Sequence, residues 1–163
     1  MMHDHHEHQH MDDNHHNHDH HDHSHMVNDF KKRLLISAII TIPILILSPT
    51  LQDLFGLSWE VPYNAYILFA LATAVFFYGG WPFITGGVSE LKDKNPGMMT
   101  LIALAIFVSY VYSSLTVFGL EGSDFFWELA TLIDIMLLGH WIEMRSVMGA
   151  SNALEELVKL MPS

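Results

Sequence analysis

The chain has 163 residues, is half apolar by count, contains no cysteine and carries a formal net charge of −11. Without cysteine, disulfides, thiolate metal centres and Cys-x-x-Cys metal-binding domains are excluded. The acidic balance argues against nucleic-acid binding, because a basic patch is the footprint of that function. The chain changes character after residue 33, where an almost wholly polar segment gives way to a strongly apolar one.

The first 26 residues interleave histidine with acidic and amide residues, and methionine is their only apolar residue type. Such a segment cannot build a core, so residues 1–29 are predicted to form a disordered arm. Neutral imidazole binds copper, zinc and nickel, and neighbouring carboxylates attract cations, so the arm is predicted to bind metal ions. Its candidate ligands are His3, His5, His6, His8, His10, His15, His16, His18, His20, His21, His23 and His25.

Two other interpretations of this arm are a purification tag and a solvated tail with no metal role. Engineered tags are usually uninterrupted histidine runs, whereas here no run exceeds two residues. Metal binding by the arm should weaken as the pH falls below the imidazole pKa of about 6.5, because protons compete for the same nitrogens.

Four apolar segments follow the arm, at about residues 34–51, 65–83, 98–118 and 125–145. Each is near the length of about 20 residues that a helix needs to cross a bilayer. A soluble four-helix core would carry charged residues at helical spacing within each segment, and the first three segments contain none. We therefore expect residues 30–163 to form an all-α membrane protein with four transmembrane helices, the fourth continuing as a stalk to residue 163.

The basic residues of the chain all fall on one side of these four segments: Lys31, Lys32, Arg33, Lys92, Lys94, Arg145 and Lys159. The connections at residues 52–64 and 119–124, on the other side, contain no lysine or arginine. By the positive-inside rule the basic side is cytoplasmic. A multi-pass membrane protein is thus expected, with both termini and the histidine-rich arm in the cytoplasm.

The second segment ends in "YGGWPF", where Gly79 and Gly80 precede Pro82. Glycines weaken a helix and proline removes an amide donor, so a kink is predicted here. The stretch after the kink is predicted to run along the cytoplasmic membrane surface as an amphipathic helix. The alternative is that the two glycines merely permit close helix packing.

The fourth segment is the polar one, and its ionisable residues are Glu128, Asp134, His140 and Glu143. Such residues are costly at membrane depth and point to function. Met98 opens the third segment and Glu143 ends the fourth, so both are predicted at similar depth on the cytoplasmic side. A thioether and a carboxylate there suit a shallow site for a soft cation. The helical stripe of Met136, His140 and Met144 is open to two interpretations, as further ligands or as packing residues.

Three stretches together resemble the first four membrane helices of heavy-metal P-type ATPases: "GGWPF", "MMTLIALAIFVSYVYS" and "LLGHWIEMRSVMGASNALEELVKLMPS". A histidine-rich arm without a Cys-x-x-Cys domain resembles the bacterial CopB-type copper exporters among them. The resemblance implies copper as the transported ion and the bacterial plasma membrane as the location. It also implies a metal-loading platform at Gly79 and Gly80, with Met98 and Glu143 as loading-site ligands.

The chain contains no Thr-Gly-Glu, Asp-Lys-Thr-Gly, Cys-Pro-His or Cys-Pro-Cys motif of that family. It is therefore expected to be an N-terminal fragment that lacks the actuator, phosphorylation and nucleotide-binding domains and does not hydrolyse ATP alone. No catalytic residue is assigned to it, and ATP and Mg²⁺ are expected only in the intact parent. The expected partners are metal ions, the lipid bilayer and the missing C-terminal domains, with no nucleic acid.

Two other functions compete with this one. The first is a standalone membrane module that sequesters or delivers metal through the arm. The second is a zinc carrier driven by an ion gradient, which would place histidine and aspartate ligands close together inside its helices. Here the only such pair is Asp134 and His140, six residues apart and on different helix faces, which disfavours the zinc carrier.

Overall fold

The computed structural model describes residues 18–57, 59 and 61–161, with side chains from residue 25 onwards. Every regular element in that part of the chain is an α-helix, which confirms the all-α prediction. The helices are α1 (His18–Leu47), α2 (Pro49–Phe55), α3 (Asn64–Tyr78), α4 (Trp81–Lys92), α5 (Met98–Phe118) and α6 (Phe126–Leu160).

The first helix is longer at its start than the sequence suggests. α1 begins at His18, so residues 18–29 are helical although they fall within the arm predicted to be disordered. Phe30 packs against the buried core. The ion pair between Asp29 and Arg33 spans one helical turn and stabilises the helix just before the first apolar segment. Residues 1–17, with the first seven histidines of the arm, lie outside the described residues.

Two of the four predicted segments are divided by breaks. The segment at residues 34–51 breaks at Ser48, where α2 departs from α1 at 61°. Ser48 has an extended backbone, with φ −63° and ψ 122°, because the ring of Pro49 disfavours the helical conformation of the residue before it. The segment at residues 65–83 divides into α3 and α4, which meet at 53°. By contrast, α5 has the predicted bounds.

Membrane-crossing helices can be counted by length and composition among the described residues. Met98–Phe118 qualifies alone, and counting each bent pair as one span raises the number to three. α6 is not among these, and its apolar part contains the acidic residues Glu128, Asp134 and Glu143. Four spans therefore remain a prediction for the chain.

The core lies where α3 and α6 meet α1 and α5. α6 buries a stripe of residues spaced three or four apart: Phe126, Leu129, Ala130, Ile133 and Leu137. α3 buries Leu68, Ala72, Val75 and Phe76 at the same helical spacing. α1 packs along α6, and α4 along α5, so that the α3–α4 junction lies between α1, α5 and α6.

Candidate metal-loading site

The α3–α4 break centres on Gly79 and Gly80, both of which are buried. Their backbones are in the right-handed helical region, so no positive φ requires glycine here. Space requires it instead: a Cβ on Gly79 would lie 2.9 Å from Cγ2 of Ile133 in α6, and one on Gly80 would lie 2.5 Å from the carbonyl oxygen of Phe76. The close approach of α6 thus restricts Gly79, and the last turn of α3 restricts Gly80, so that a larger side chain does not fit at either position without a shift.

α4 has one face packed against the protein and one exposed. Phe83 and Gly87 are buried, whereas Trp81, Val88 and Leu91 are exposed. A Cβ on Gly87 would lie 2.8 Å from Cβ of Ala103, so glycine lets α4 lie directly on α5. The exposed face of α4 also carries apolar side chains, and the position of α4 along the membrane surface stays a prediction.

Glu90 joins the end of α4 to the start of α5, and sequence reasoning missed it. One carboxylate oxygen accepts hydrogen bonds from the amides of Gly97 and Thr100, each at 2.8 Å, and from the Thr100 hydroxyl at 2.7 Å. The other accepts a longer bond from the Met99 amide at 3.4 Å. Bonds from the Thr100 hydroxyl, the Thr100 amide and the other two amides hold the pKa of Glu90 below its usual value of 4.5.

A helix leaves its first amides without partners and favours negative charge there, which explains the position of Glu90. The sequence contains one signal for this contact. The "NPG" turn lies directly before α5, and its Gly97 follows Glu90 of the preceding helix by seven residues. The result is a fixed first turn of α5. That turn carries Met98, which is 57% exposed, and Met99, which packs against the core.

Glu143 lies on α6 and is exposed, and its role as a loading-site ligand stays a prediction. It makes no hydrogen bond or ion pair with any described residue. Glu143 and Met98 are thus both accessible, although neither hydrogen bonds nor ion pairs join them to each other. Met136 packs against the core, which favours the packing interpretation of that residue.

His140, one turn before Glu143, lies between two phenylalanine rings. Its ring stacks on Phe30 of α1 with centroids 5.9 Å apart and meets Phe83 of α4 edge-on at 5.5 Å. Asp134 lies elsewhere, with the hydroxyls of Ser37 and Thr41 on α1 as its neighbours. The two candidate zinc-carrier ligands therefore occupy separate environments.

No group of three or more histidine, cysteine, aspartate or glutamate residues is placed to hold a metal ion within the described ranges. The histidines of residues 18–25 belong to α1, and the side chain of His25 is exposed. The side chains of the other histidines of the arm, from His3 to His23, are outside the described part of the structure, so their metal binding stays a prediction.

Comparison with known proteins bears on these observations. No protein-family model matches the chain. The chain is 65% identical over 138 residues to a copper-exporting P-type ATPase B of Archaeoglobus fulgidus, in an alignment covering 85% of this chain and 20% of that protein. The chain is homologous to a segment of such P-type ATPases. A copper-exporting P-type ATPase B of Enterococcus hirae is 46% identical over 142 residues, covering 83% of this chain and 19% of the relative.

A more distant relative extends the same match. The copper-exporting P-type ATPase of Bacillus subtilis is 32% identical over 136 residues, which are 78% of this chain and 17% of that protein. The chain thus spans about a fifth of the length of the curated P-type ATPases it matches. The resemblance to copper-exporting P-type ATPases inferred from the sequence is confirmed.

Proposed function

We propose that this chain is the N-terminal membrane portion of a copper-exporting P-type ATPase, where it captures copper on the cytoplasmic side and loads it into the transport path. The observation that carries this proposal is identity of 65% with a copper-exporting relative over 85% of the chain. ATP and Mg²⁺ would act in the other four-fifths of such a protein, since the chain contains none of the phosphorylation or nucleotide-binding motifs.

The loading site is formed by the exposed side chains of Met98 and Glu143, with α4 as the platform beside them. A thioether favours a soft cation such as Cu⁺, and a carboxylate attracts the cation electrostatically. Two ligands leave the coordination shell incomplete, so the site binds the ion weakly enough to release it into the transport path. The exposure of both groups and the rigid first turn of α5 support this assignment.

The topology proposed for this portion has four membrane spans: α1 with α2, α3 with the start of α4, α5, and the apolar part of α6. All seven lysine and arginine residues then lie on the cytoplasmic side, as the positive-inside rule requires. The histidine-rich arm would lie on the same side as Met98 and Glu143. It would collect several ions there and raise their local concentration, without forming part of the path itself.

The test uses the full-length ATPase that carries this sequence, reconstituted in liposomes, with copper-stimulated ATP hydrolysis measured at limiting copper. Glu143→Gln keeps the size of the side chain and removes its charge, and Met98→Leu removes the thioether. We expect each to lower turnover about tenfold, as loss of about 1.4 kcal/mol of ion binding would. Phosphorylation by inorganic phosphate should be unchanged.

Matched controls are Glu156→Gln and Met161→Leu, which make the same chemical changes at exposed positions near the end of α6. Both should behave as the unmodified protein. Wild-type turnover of Glu143→Gln and Met98→Leu at limiting copper would show that these residues are not the loading site.

A further inference from the structure

The α3–α4 break leaves the backbone carbonyl of Tyr78 without its usual partner. In a regular helix the carbonyl oxygen of Tyr78 would accept a hydrogen bond from the amide four residues later. That residue is Pro82, which has no N–H. An unpaired carbonyl in an apolar setting costs free energy comparable to a lost hydrogen bond, so this break needs a donor from elsewhere.

Arg33 of α1 supplies that donor. Its Nη1 donates to the carbonyl oxygen of Tyr78 at 2.7 Å, across 45 positions of sequence. The guanidinium also lies over the Tyr78 ring, with its central carbon 5.2 Å from the ring centroid. On the other side its Nε donates to Asp29 at 2.9 Å. The side chain is only 22% exposed, so these bonds are partly shielded from water.

These contacts lie directly at the end of α3, where the chain turns into α4. α4 starts three residues beyond Tyr78, so a partner on the Tyr78 carbonyl limits the angle at which α4 can leave α3. Phe30, three residues before Arg33, reinforces the contact because the ring of His140 lies between it and Phe83 of α4. The segment that follows the histidine-rich arm is thus attached to both sides of the break.

We propose that Arg33 is a positioning residue for metal loading, which holds α4 at its angle by replacing the amide that Pro82 lacks. The guanidinium is suited to the task because it donates several bonds at once and stacks on an aromatic face. Lysine has neither the planar fork nor the stacking surface. The role of α4 as a loading platform rests on the proposed function, but the hydrogen-bonding role of Arg33 does not.

The test measures the α3–α4 angle in this chain without copper. Spin labels on Tyr66→Cys and Leu91→Cys, exposed positions in α3 and α4, report the distance between the two helices in a bilayer. The chain has no native cysteine to compete for the label. Arg33→Met should broaden the distance distribution and lower the ratio of bent to other forms by about tenfold, as loss of a charged hydrogen bond predicts.

Three comparisons separate this role from a general loss of stability. Lys32→Met removes a neighbouring charge from an exposed side chain and should leave the distribution unchanged. Arg33→Lys should recover part of the bent population, because one donor remains. In a Pro82→Ala background, where residue 82 regains its amide, Arg33→Met should have a much smaller effect. An unchanged distribution in Arg33→Met, or an equally large effect beside Pro82→Ala, would overturn the proposal.

The functional consequence is measured in the full-length ATPase. A positioning residue affects copper capture more than the later steps, so Arg33→Met should raise the KM for copper severalfold and leave kcat nearly unchanged. A changed angle with an unchanged KM would overturn the positioning role. Failure of the proposed loading site would appear separately, in Glu143→Gln and Met98→Leu.

Discussion

The α1–α2 break and the α3–α4 break have similar angles, 61° and 53°, and each has a proline just after it. The backbone carbonyls at the two breaks accept hydrogen bonds from different kinds of donor. At the α1–α2 break, neutral side-chain amides donate to the last carbonyls of α1. The Gln52 side chain donates to the Ile46 carbonyl at 2.9 Å, and the Asn64 side chain donates to the Leu47 carbonyl at 2.8 Å.

At the α3–α4 break the donor is a partly buried guanidinium, and the following helix packs on a neighbour through glycine. α2, by contrast, has no buried residue and is followed by Gly56, which caps the helix in the left-handed conformation. The bend at Ser48 therefore leads into a short helix with no buried residue, whereas the bend at Gly79 and Gly80 leads into a helix that packs on α5. What differs is the surface against which the second helix lies.

The largest expected difference between the two breaks is their side of the membrane. Under the proposed topology, the loop after α2 is outside and the loop after α4 is cytoplasmic. A cysteine at Leu57 should react completely with an impermeant reagent added to intact cells, whereas one at Asp93 should react only after permeabilisation. Both side chains are exposed, so burial does not explain a failure to react. The reverse pattern would remove the cytoplasmic loading site.

The next largest effect should come from two glycines, Gly80 at the α3–α4 break and Gly56 directly after α2. Gly80→Leu forces a side chain against the Phe76 carbonyl and Ile106, and should destabilise the protein by about 3 kcal/mol, the upper range for overpacking. Gly56→Ala meets open space and pays only for its positive φ, about 1 kcal/mol. Thermal unfolding in detergent measures both changes. Gly139→Ala, in an open helical position, is the control and should not destabilise.

Glu90 makes the connection between α4 and α5 sensitive to acid. Its pKa is lowered by the Thr100 hydroxyl and by the amides at the start of α5, so the charged form is the one that stabilises the folded state. This contribution is complete above the usual value of 4.5 and is lost as the pH falls through the lower folded value.

At neutral pH, Glu90→Gln should therefore speed hydrogen exchange at the Gly97 and Thr100 amides, since a neutral side chain binds them more weakly. Asp93→Asn, a matched change at an exposed neighbour, should not alter exchange there. Equal protection of both amides in the Glu90→Gln and unmodified proteins would show that the carboxylate does not fix the first turn of α5.

The sequence predicted elements whose signal is local. The bounds of α5 follow from a long apolar run between Gly97 and Gly119, and Pro82 with its preceding glycines predicted a change of direction. The extension of α1 to His18 was not predicted because residues 18–29 are mostly polar and show no apolar periodicity. The hydrogen bonds of Arg33 and Glu90 were not predicted because their partners lie outside the helix that carries each residue. Arg33 was interpreted only as part of a basic cluster, and its partner Tyr78 is 45 positions away. Hydropathy and charge patterns contain no information about such pairs.

The smallest expected effect tests the neutral donors of the α1–α2 break. Asn64→Ala removes the bond to the Leu47 carbonyl and should destabilise the protein by about 1 kcal/mol, the usual net contribution of one neutral hydrogen bond. Gln52→Ala should cost less, because its bond to Ile46 is exposed and water replaces it. Neither change should move the spin-label distance between α3 and α4, since neither residue contacts that break. If Asn64→Ala destabilises as much as Arg33→Met in the same unfolding assay, the two breaks are equivalent energetically, and charge at the α3–α4 break has no special importance.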